Sequence, residues 1–231
     1  MTIQSERVDS IMFDSFTTLV DVRSSTRRAL KTYVEEPRSI GELWRFRAVD
    51  YRMVSTFTGE YRTYIETTRD ALEYALAVHD EELPASVLEN LTGVFFDLNV
   101  YNDVRPELQK LAEAGYDLYV LSNGNPEVLN AMLESASIEE LIEDMISADE
   151  IEIYKPDPRL YDHAIDRVGG SKTSVAHVAT PWYDVYGAKH AGIQTVWVNR
   201  DDRPWDRFDG EPDLTVDSLA GVTDAFVSAS H

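Results

Sequence analysis

Ser10-Ile11-Met12-Phe13-Asp14-Ser15-Phe16-Thr17-Thr18-Leu19 is an apolar run that stops at a carboxylate. A short apolar segment, Val8 to Phe13, bounded by polar residues, has the pattern of a buried strand, and Asp14 stands just past its C-terminal end. In an open α/β sheet that edge is where ligands bind. The same residue type also starts turns and caps helices. Asp14 alone therefore supports two readings, and the rest of the chain has to decide between them.

Outward from this stretch the pattern turns helical. A Ser/Thr cluster predicts a helix over Ser24–Tyr33. Leu43, Phe46, Val49, Met53 and Phe57, at three- and four-residue spacing, predict an amphipathic helix from Glu42 to about Thr58. Ala71, Leu72, Ala75, Leu76 and Val78 repeat that spacing over Glu66–Val78, and Pro84 opens a helix whose apolar face is Val87, Leu88 and Leu91. No strand pattern falls between Leu19 and about Leu98, which predicts a helical insertion and not a continued βαβ series.

From Arg105-Pro106 the rhythm becomes α/β. A helix through Leu108 and Leu111 stops at Gly115, and Tyr116–Leu121 is a buried strand ending at Ser122-Asn123-Gly124. Pro126–Leu133 reads as a helix, Met145–Ser147 as a brief strand, and Asp157-Pro158 as N-cap and first turn of a helix reaching Val168. Val175–Val178 is a strand, Trp182–His190 a helix, Thr195–Val198 a strand, and the acidic stretch Asp201–Asp213 a loop. Leu219, Val222 and Phe226 mark a last helix. Strands alternating with helices imply an α/β class with a parallel sheet and right-handed crossovers.

Composition narrows the function classes. With 231 residues, 43% of them apolar, the chain can bury a real core. It carries 42 Asp plus Glu against 21 Lys plus Arg, only five of them Lys, for a formal charge of -21. Such a surface repels nucleic acid and anionic membranes, and no basic, aromatic-laced face offsets it. A salt-filled cytoplasm would account for the excess, because the Debye length falls to about 3 Å at 1 M salt and screens self-repulsion. There is no cysteine, so thiolate chemistry and disulfides are excluded. The five histidines, His79, His163, His177, His190 and His231, show no metal-ligand spacing. The N-terminus lacks the sections of a signal peptide and no long apolar run occurs, so a cytoplasmic protein is expected.

Three further predicted strand ends carry groups capable of chemistry: Ser122-Asn123-Gly124, Lys155, and Asp184 after the Val175 strand. A parallel sheet collects strand C-termini on one edge, so these groups can converge on Asp14. Each has a plain structural reading as well, in turn, surface loop or first turn of a helix. Together their residue types suit nucleophilic catalysis. A carboxylate can form an ester and split one displacement into two steps. An ammonium beside it keeps it ionised, and the Ser hydroxyl with backbone N–H groups near Ser15-Phe16 and Asn123-Gly124 can grip a substrate carboxylate. A second carboxylate can activate water.

Phe13-Asp14-x-x-x-Thr18-Leu19, Leu121-Ser122-Asn123-Gly124, Tyr154-Lys155-Pro156-Asp157 and Asp184 resemble the four motifs of the haloacid dehalogenase (HAD) superfamily. Leu43-Trp44-Arg45, Tyr161 six residues after Lys155, and Trp197-Val198-Asn199-Arg200 extend the resemblance over almost the whole chain, to the L-2-haloacid dehalogenases (type II). That resemblance implies a HAD-like Rossmannoid core over 1–19 and 99–231 and a helical cap domain over 20–98. It implies no cofactor, no metal, and a small (S)-2-haloalkanoic acid as substrate, converted to the (R)-2-hydroxy acid. By resemblance, Asp14 attacks C2 and displaces halide; Arg45 and Asn123 receive the halide, helped by Tyr64; Ser122 binds the substrate carboxylate, and Ser15 and Phe16, in the loop after Asp14, also bind substrate. Thr18, Lys155 and Tyr161 position and balance Asp14, and Asp184 assists the water. The residues leave oligomeric state open; the resemblance implies a homodimer.

The chain also departs from the patterns it resembles. HAD phosphatases carry a second Asp two residues after the nucleophile, and here that position is Phe16; their Gly-Asp pair of the fourth motif is replaced by Ala179-Thr180. The dehalogenase pattern has Tyr where Phe16 stands, and Ser and Asn five and three residues before the last Asp, where this chain has Ala179 and Pro181. Both lost side chains are hydrogen-bonding groups, and proline also removes a backbone donor. Displacement could then proceed while ester hydrolysis slows. A Mg²⁺-dependent phosphatase and a binding protein with impaired hydrolysis stay open as alternatives.

Overall fold

A computed structural model describes residues 3–227. In chain order its elements are β1 (Ser10–Phe13), β2 (Val20–Asp21), α1 (Val22–Leu30), α2 (Pro37–Thr58), α3 (Tyr64–Val78), α4 (Ala85–Gly93), β3 (Asn99–Val100) and α5 (Val104–Glu113). They continue with β4 (Asp117–Ser122), α6 (Pro126–Ala136), β5 (Asp144–Ser147), α7 (Pro158–Val168), β6 (Val175–Ala179), α8 (Trp182–His190), β7 (Gln194–Val198), β8 (Leu214–Val216) and α9 (Leu219–Val227).

Six strands form one parallel sheet in the order β5-β4-β1-β6-β7-β8. All four residues of β1 are buried, as a strand covered on both faces requires. Phe13 pairs with Val120 on one side and Val178 on the other. The ends of β1, β4 and β6 therefore reach one edge together, with Asp14 at its middle. The sheet reverses direction of growth on either side of β1, which makes that edge a switch point of the kind where ligands bind.

Local sequence explains the helix ends. Proline at the first position and glycine in the left-handed region bound α2 (Pro37, Gly59 at φ 72°) and α7 (Pro158, Gly169 at φ 74°). Thr63 and Glu66 close a capping box on α3, and Asp157 accepts from the Arg159 N–H at the start of α7.

Helices α1 to α4, which follow β1 and precede β3 in the chain, pack on one another. Trp44 is fully buried here, its Nε1 donating to the Thr68 carbonyl at 2.7 Å and its ring meeting Phe95 edge-on at 5.6 Å. Burying such a side chain contributes about 1.5–3 kcal/mol. Hydrogen bonds tie this helical segment to loops at the sheet's C-terminal edge. Tyr61 donates to Asp149 at 2.6 Å, Tyr154 to the Arg62 carbonyl at 2.7 Å, and the Ile65 N–H to Asn125 at 3.2 Å.

Three strands differ from expectation. A strand does fall at the start of the helical stretch: β2 pairs antiparallel with β3. Each has two residues, too few for a period-2 pattern to register. β8, also unread, is a short, partly exposed edge strand. Helix α2 begins at Pro37 and not Glu42, because proline opens a helix where the apolar spacing has not yet begun.

Candidate active site

Asp14 follows β1 and is 5% exposed. Its N–H donates to the Val178 carbonyl at 3.0 Å, extending the sheet ladder by one residue and fixing where the side chain starts. Thr18 Oγ1 donates to Asp14 Oδ2 at 2.7 Å, and Lys155 Nζ to Oδ1 at 3.0 Å. The loop between Asp14 and Thr18 closes on itself, the Leu19 N–H donating to Ser15 at 2.9 Å and Thr17 N–H to Val20 at 2.9 Å. Thr17 takes φ 71°, unfavourable for a β-branched residue and costing about 1–3 kcal/mol. That cost is met where the turn aims Thr18 back at the carboxylate.

Lys155, 2% exposed, also donates to Asp184 Oδ2 at 2.6 Å, so one ammonium bridges two buried carboxylates. Its position is set through the backbone, with its N–H donating to Asn123 Oδ1 at 2.9 Å. Asp184 comes from the first turn of α8, where its own helix favours a negative charge. Its Oδ1 accepts from Tyr161 at 2.8 Å and His177 Nε2 at 2.9 Å.

Burial raises the Asp14 carboxyl above the usual range; Lys155 works against this and the Asp184 charge adds to it. Asp184 goes the other way. Burial would raise it, yet the His177 and Lys155 charges and hydrogen bonds hold it well below the ordinary value. Burial alone would lower Lys155, but its two carboxylates raise it. The cluster thus separates a carboxylate whose ionised form is strongly favoured, Asp184, from one whose protonation is sensitive to its surroundings.

Ser122 at the end of β4 is fully buried; its Oγ shares a 2.6 Å hydrogen bond with Ser15 Oγ and accepts from the Gly124 N–H at 3.0 Å. Arg45, half-buried on α2, makes no hydrogen bond or ion pair among the described residues, and burial, then the like charges of Arg23 and Arg203, lower its pKa. Tyr64 is buried and stacks on Phe16, with centroids 4.6 Å apart and planes 9° from parallel. A cavity of about 670 Å³ opens onto this group, lined among others by Asp14, Phe16, Arg45, Tyr64, Asn123 and Thr180.

Asp14, Lys155 and Asp184 thus form one cluster, the convergence that the strand ends predict, and Thr18, which only the resemblance implies, joins it through Asp14. The Tyr161 hydroxyl meets Asp184, with no hydrogen bond to Asp14 among the described residues, because α7 lies against α8; it reaches Asp14 through the Asp184–Lys155 bridge. His177 is a further member of the cluster that the sequence does not mark. It sits in mid-strand on β6, fully buried, and a histidine in an apolar run gives no local sign of the acid it will face. Thr180 supplies its N–H to Thr18 Oγ1 at 2.9 Å, while its own hydroxyl is buried without a partner among the described residues.

Residues 11–198 match the family described as haloacid dehalogenase-like hydrolase. The chain belongs to that family. Among its relatives, the (S)-2-haloacid dehalogenase 4A of Burkholderia cepacia is 34% identical over 200 residues, 85% of this chain and 87% of the relative. A crystal structure of an L-2-haloacid dehalogenase superimposes with a TM-score of 0.91 at 29% identity, covering 96% of this chain and 99% of that one. The L-2-haloacid dehalogenase of Xanthobacter autotrophicus, solved with chloropropionic acid covalently bound, matches at 25% identity and a TM-score of 0.86, covering 94% and 97%.

Proposed function

We propose that the chain is an (S)-2-haloacid dehalogenase that replaces halide at C2 of a small 2-haloalkanoic acid with hydroxyl, through an ester on Asp14. The observation that carries this is the Asp14–Lys155–Asp184 bridge at a cavity whose Arg45 has no partner among the described residues, in a chain similar along its length to (S)-2-haloacid dehalogenases. One Asp14 oxygen attacks C2 from the side opposite the halogen. The C–O bond forms as the carbon–halogen bond breaks, and halide leaves with the electron pair and inversion at C2. Arg45, charged and unpaired at the cavity wall, receives the halide with Asn123; Tyr64 and Phe16 supply the apolar wall. Ser122, Ser15 and the N–H groups beside them orient the substrate carboxylate. Residues 20–98 serve as the cap over the core of 1–19 and 99–231.

Water then attacks the carbonyl carbon of the ester. The Asp14–substrate bond breaks on the acyl side, giving the (R)-2-hydroxy acid and regenerating Asp14, with one proton released. Asp184 is a weak base here, since His177, Tyr161 and Lys155 all stabilise its charge. Its stronger part is to hold Lys155 in place. Thr180 Oγ1, unpartnered and on the cavity wall, is the group left to hold the water where Ala179 and Pro181 supply no side-chain donor.

Halide release from the separate enantiomers of 2-chloropropionate tests the reading, together with intact-mass spectrometry of the protein. The S enantiomer should release chloride and leave a transient mass increment that Asp14→Asn abolishes. Turnover of the R enantiomer alone, or of a phosphate ester with loss in chelator, would overturn it. The acidic surface further supports a cytoplasm of high salt as the setting.

A further inference from the structure

Five arginines line the cavity, and their surroundings divide them. Arg23 pairs with Asp201 at 2.5 Å, Arg203 with the same Asp201 at 3.2 Å, and Arg200 with both oxygens of Asp103 at 2.9 and 3.0 Å. Arg45 and Arg52 have no carboxylate partner among the described residues. The dehalogenase reading gives Arg45 to the halide, and nothing in that reading uses Arg52.

Arg52 is 7% exposed. Its Nε donates to Thr67 Oγ1 at 3.2 Å, and its Nη2 to Thr68 Oγ1 at 2.5 Å and the Tyr64 carbonyl at 3.4 Å. Its Cζ lies 3.8 Å from the centroid of the Tyr64 ring. These contacts fix the guanidinium, but none neutralises it, and its Nη1 donates to no acceptor among the described residues. Burying a cation without counter-charge is strongly unfavourable. Acidic partners are abundant in a chain with 42 of them, so their absence around Arg52 among the described residues leaves room for an anion that arrives with the ligand.

Tyr64 connects Arg52 to the reacting carboxylate. The ring lies between the guanidinium and Phe16, which is two residues from Asp14. Along α2, Arg45 and Arg52 are seven residues apart, roughly 10 Å of rise. The two free cations therefore start from points well separated along the cavity. A cavity of about 670 Å³ lies in the range of about 300–1,000 Å³ that houses drug-sized ligands. A three-carbon acid leaves much of it unused.

We propose that Arg52 receives a second carboxylate, and that the substrates of this site are short 2-halodicarboxylic acids, with one or two methylenes between C2 and the distal carboxylate. This rests on the dehalogenase reading. The proximal carboxylate and C2 sit at Asp14, and the distal carboxylate meets the fixed fork of Arg52 in a charge-assisted hydrogen bond.

Calorimetric titration of unhalogenated ligands into the intact protein tests the anion site without turnover. Succinate and glutarate are compared with their half-amides, succinamate and glutaramate, at one salt concentration. The better diacid is expected to bind at least ~10-fold more tightly than its half-amide, the loss of one charge-assisted contact. Arg52→Met should bring that ratio close to one, with Arg52→Lys retaining part of it. A ratio already within about twofold in the native protein overturns the proposal, and this comparison stands even if the variants fail to fold. An equal loss for diacid and half-amide in Arg52→Met also overturns it, as the mark of a structural role. Chloride release from (S)-2-chlorosuccinate and (S)-2-chloropropionate separates the two readings. Diacid-selective binding with no chloride from either substrate refutes the dehalogenase reading, while turnover of chloropropionate without diacid selectivity refutes the role of Arg52 alone.

Discussion

At the scale of single residues, Lys155 and His177 determine how the two carboxylates differ. Removing the ammonium in Lys155→Met leaves Asp14 with burial and the Asp184 charge, both of which raise its pKa. The nucleophile must be ionised, so activity is present above the Asp14 pKa and lost as pH falls through it. The acid limb of kcat/KM should therefore move to higher pH in Lys155→Met, along with a stability loss of about 3–5 kcal/mol from two buried charges without their partner; a pH–rate profile and a urea melt measure both. His177→Phe removes one of three donors to Asp184. The buried carboxylate is then less well stabilised, and folding stability should fall by about 1.5–3 kcal/mol, as loss of a hydrogen bond to a charged group does. A urea melt measures the loss, and His177→Gln should restore part of it.

At the scale of elements, α8 delivers Asp184 only because it lies very close to α7. A Cβ added at Gly187 would stand 2.7 Å from Pro156 Cβ and 2.7 Å from the Tyr161 hydroxyl, with the Tyr161 ring at 2.9 Å. Gly187→Ala should destabilise by about 1–3 kcal/mol, as overpacking does. It should also lower kcat by displacing the hydroxyl that holds Asp184; thermal unfolding and steady-state kinetics measure the two effects separately. The same element shows what sequence could and could not convey. Strand ends at Asp14, Ser122 and Asp184 were legible, because apolar runs and the polar residues that stop them are local signals. The helical stretch was legible from its spacing. The partner of Tyr161 was not, since it depends on how α7 packs against α8, and neither helix records its neighbour. His177 and Arg52 were missed for the same reason: each sits in a regular strand or helix pattern, and its chemistry comes from residues brought in by the fold. The two-residue strands β2 and β3 were too short to leave a pattern.

At the scale of the molecule, the charge of -21 acts on stability and on encounter alike. Self-repulsion opposes compaction, and salt screens it within about 3 Å at 1 M. The melting temperature should rise as KCl is added, and a protein most stable at low salt would contradict a halophilic setting. Anionic substrates meet the same field, so their KM should fall over the same salt range, whereas an uncharged ligand should be indifferent. Within the site, charge is not constant through a turnover. Esterification would cancel the negative charge of Asp14 while Lys155 keeps its hold on Asp184. That charge passes to the halide, and once halide has left the enclosure every remaining acid there, including a water at the cavity wall, becomes easier to deprotonate. Halide release would thus itself prepare the water that the next step requires.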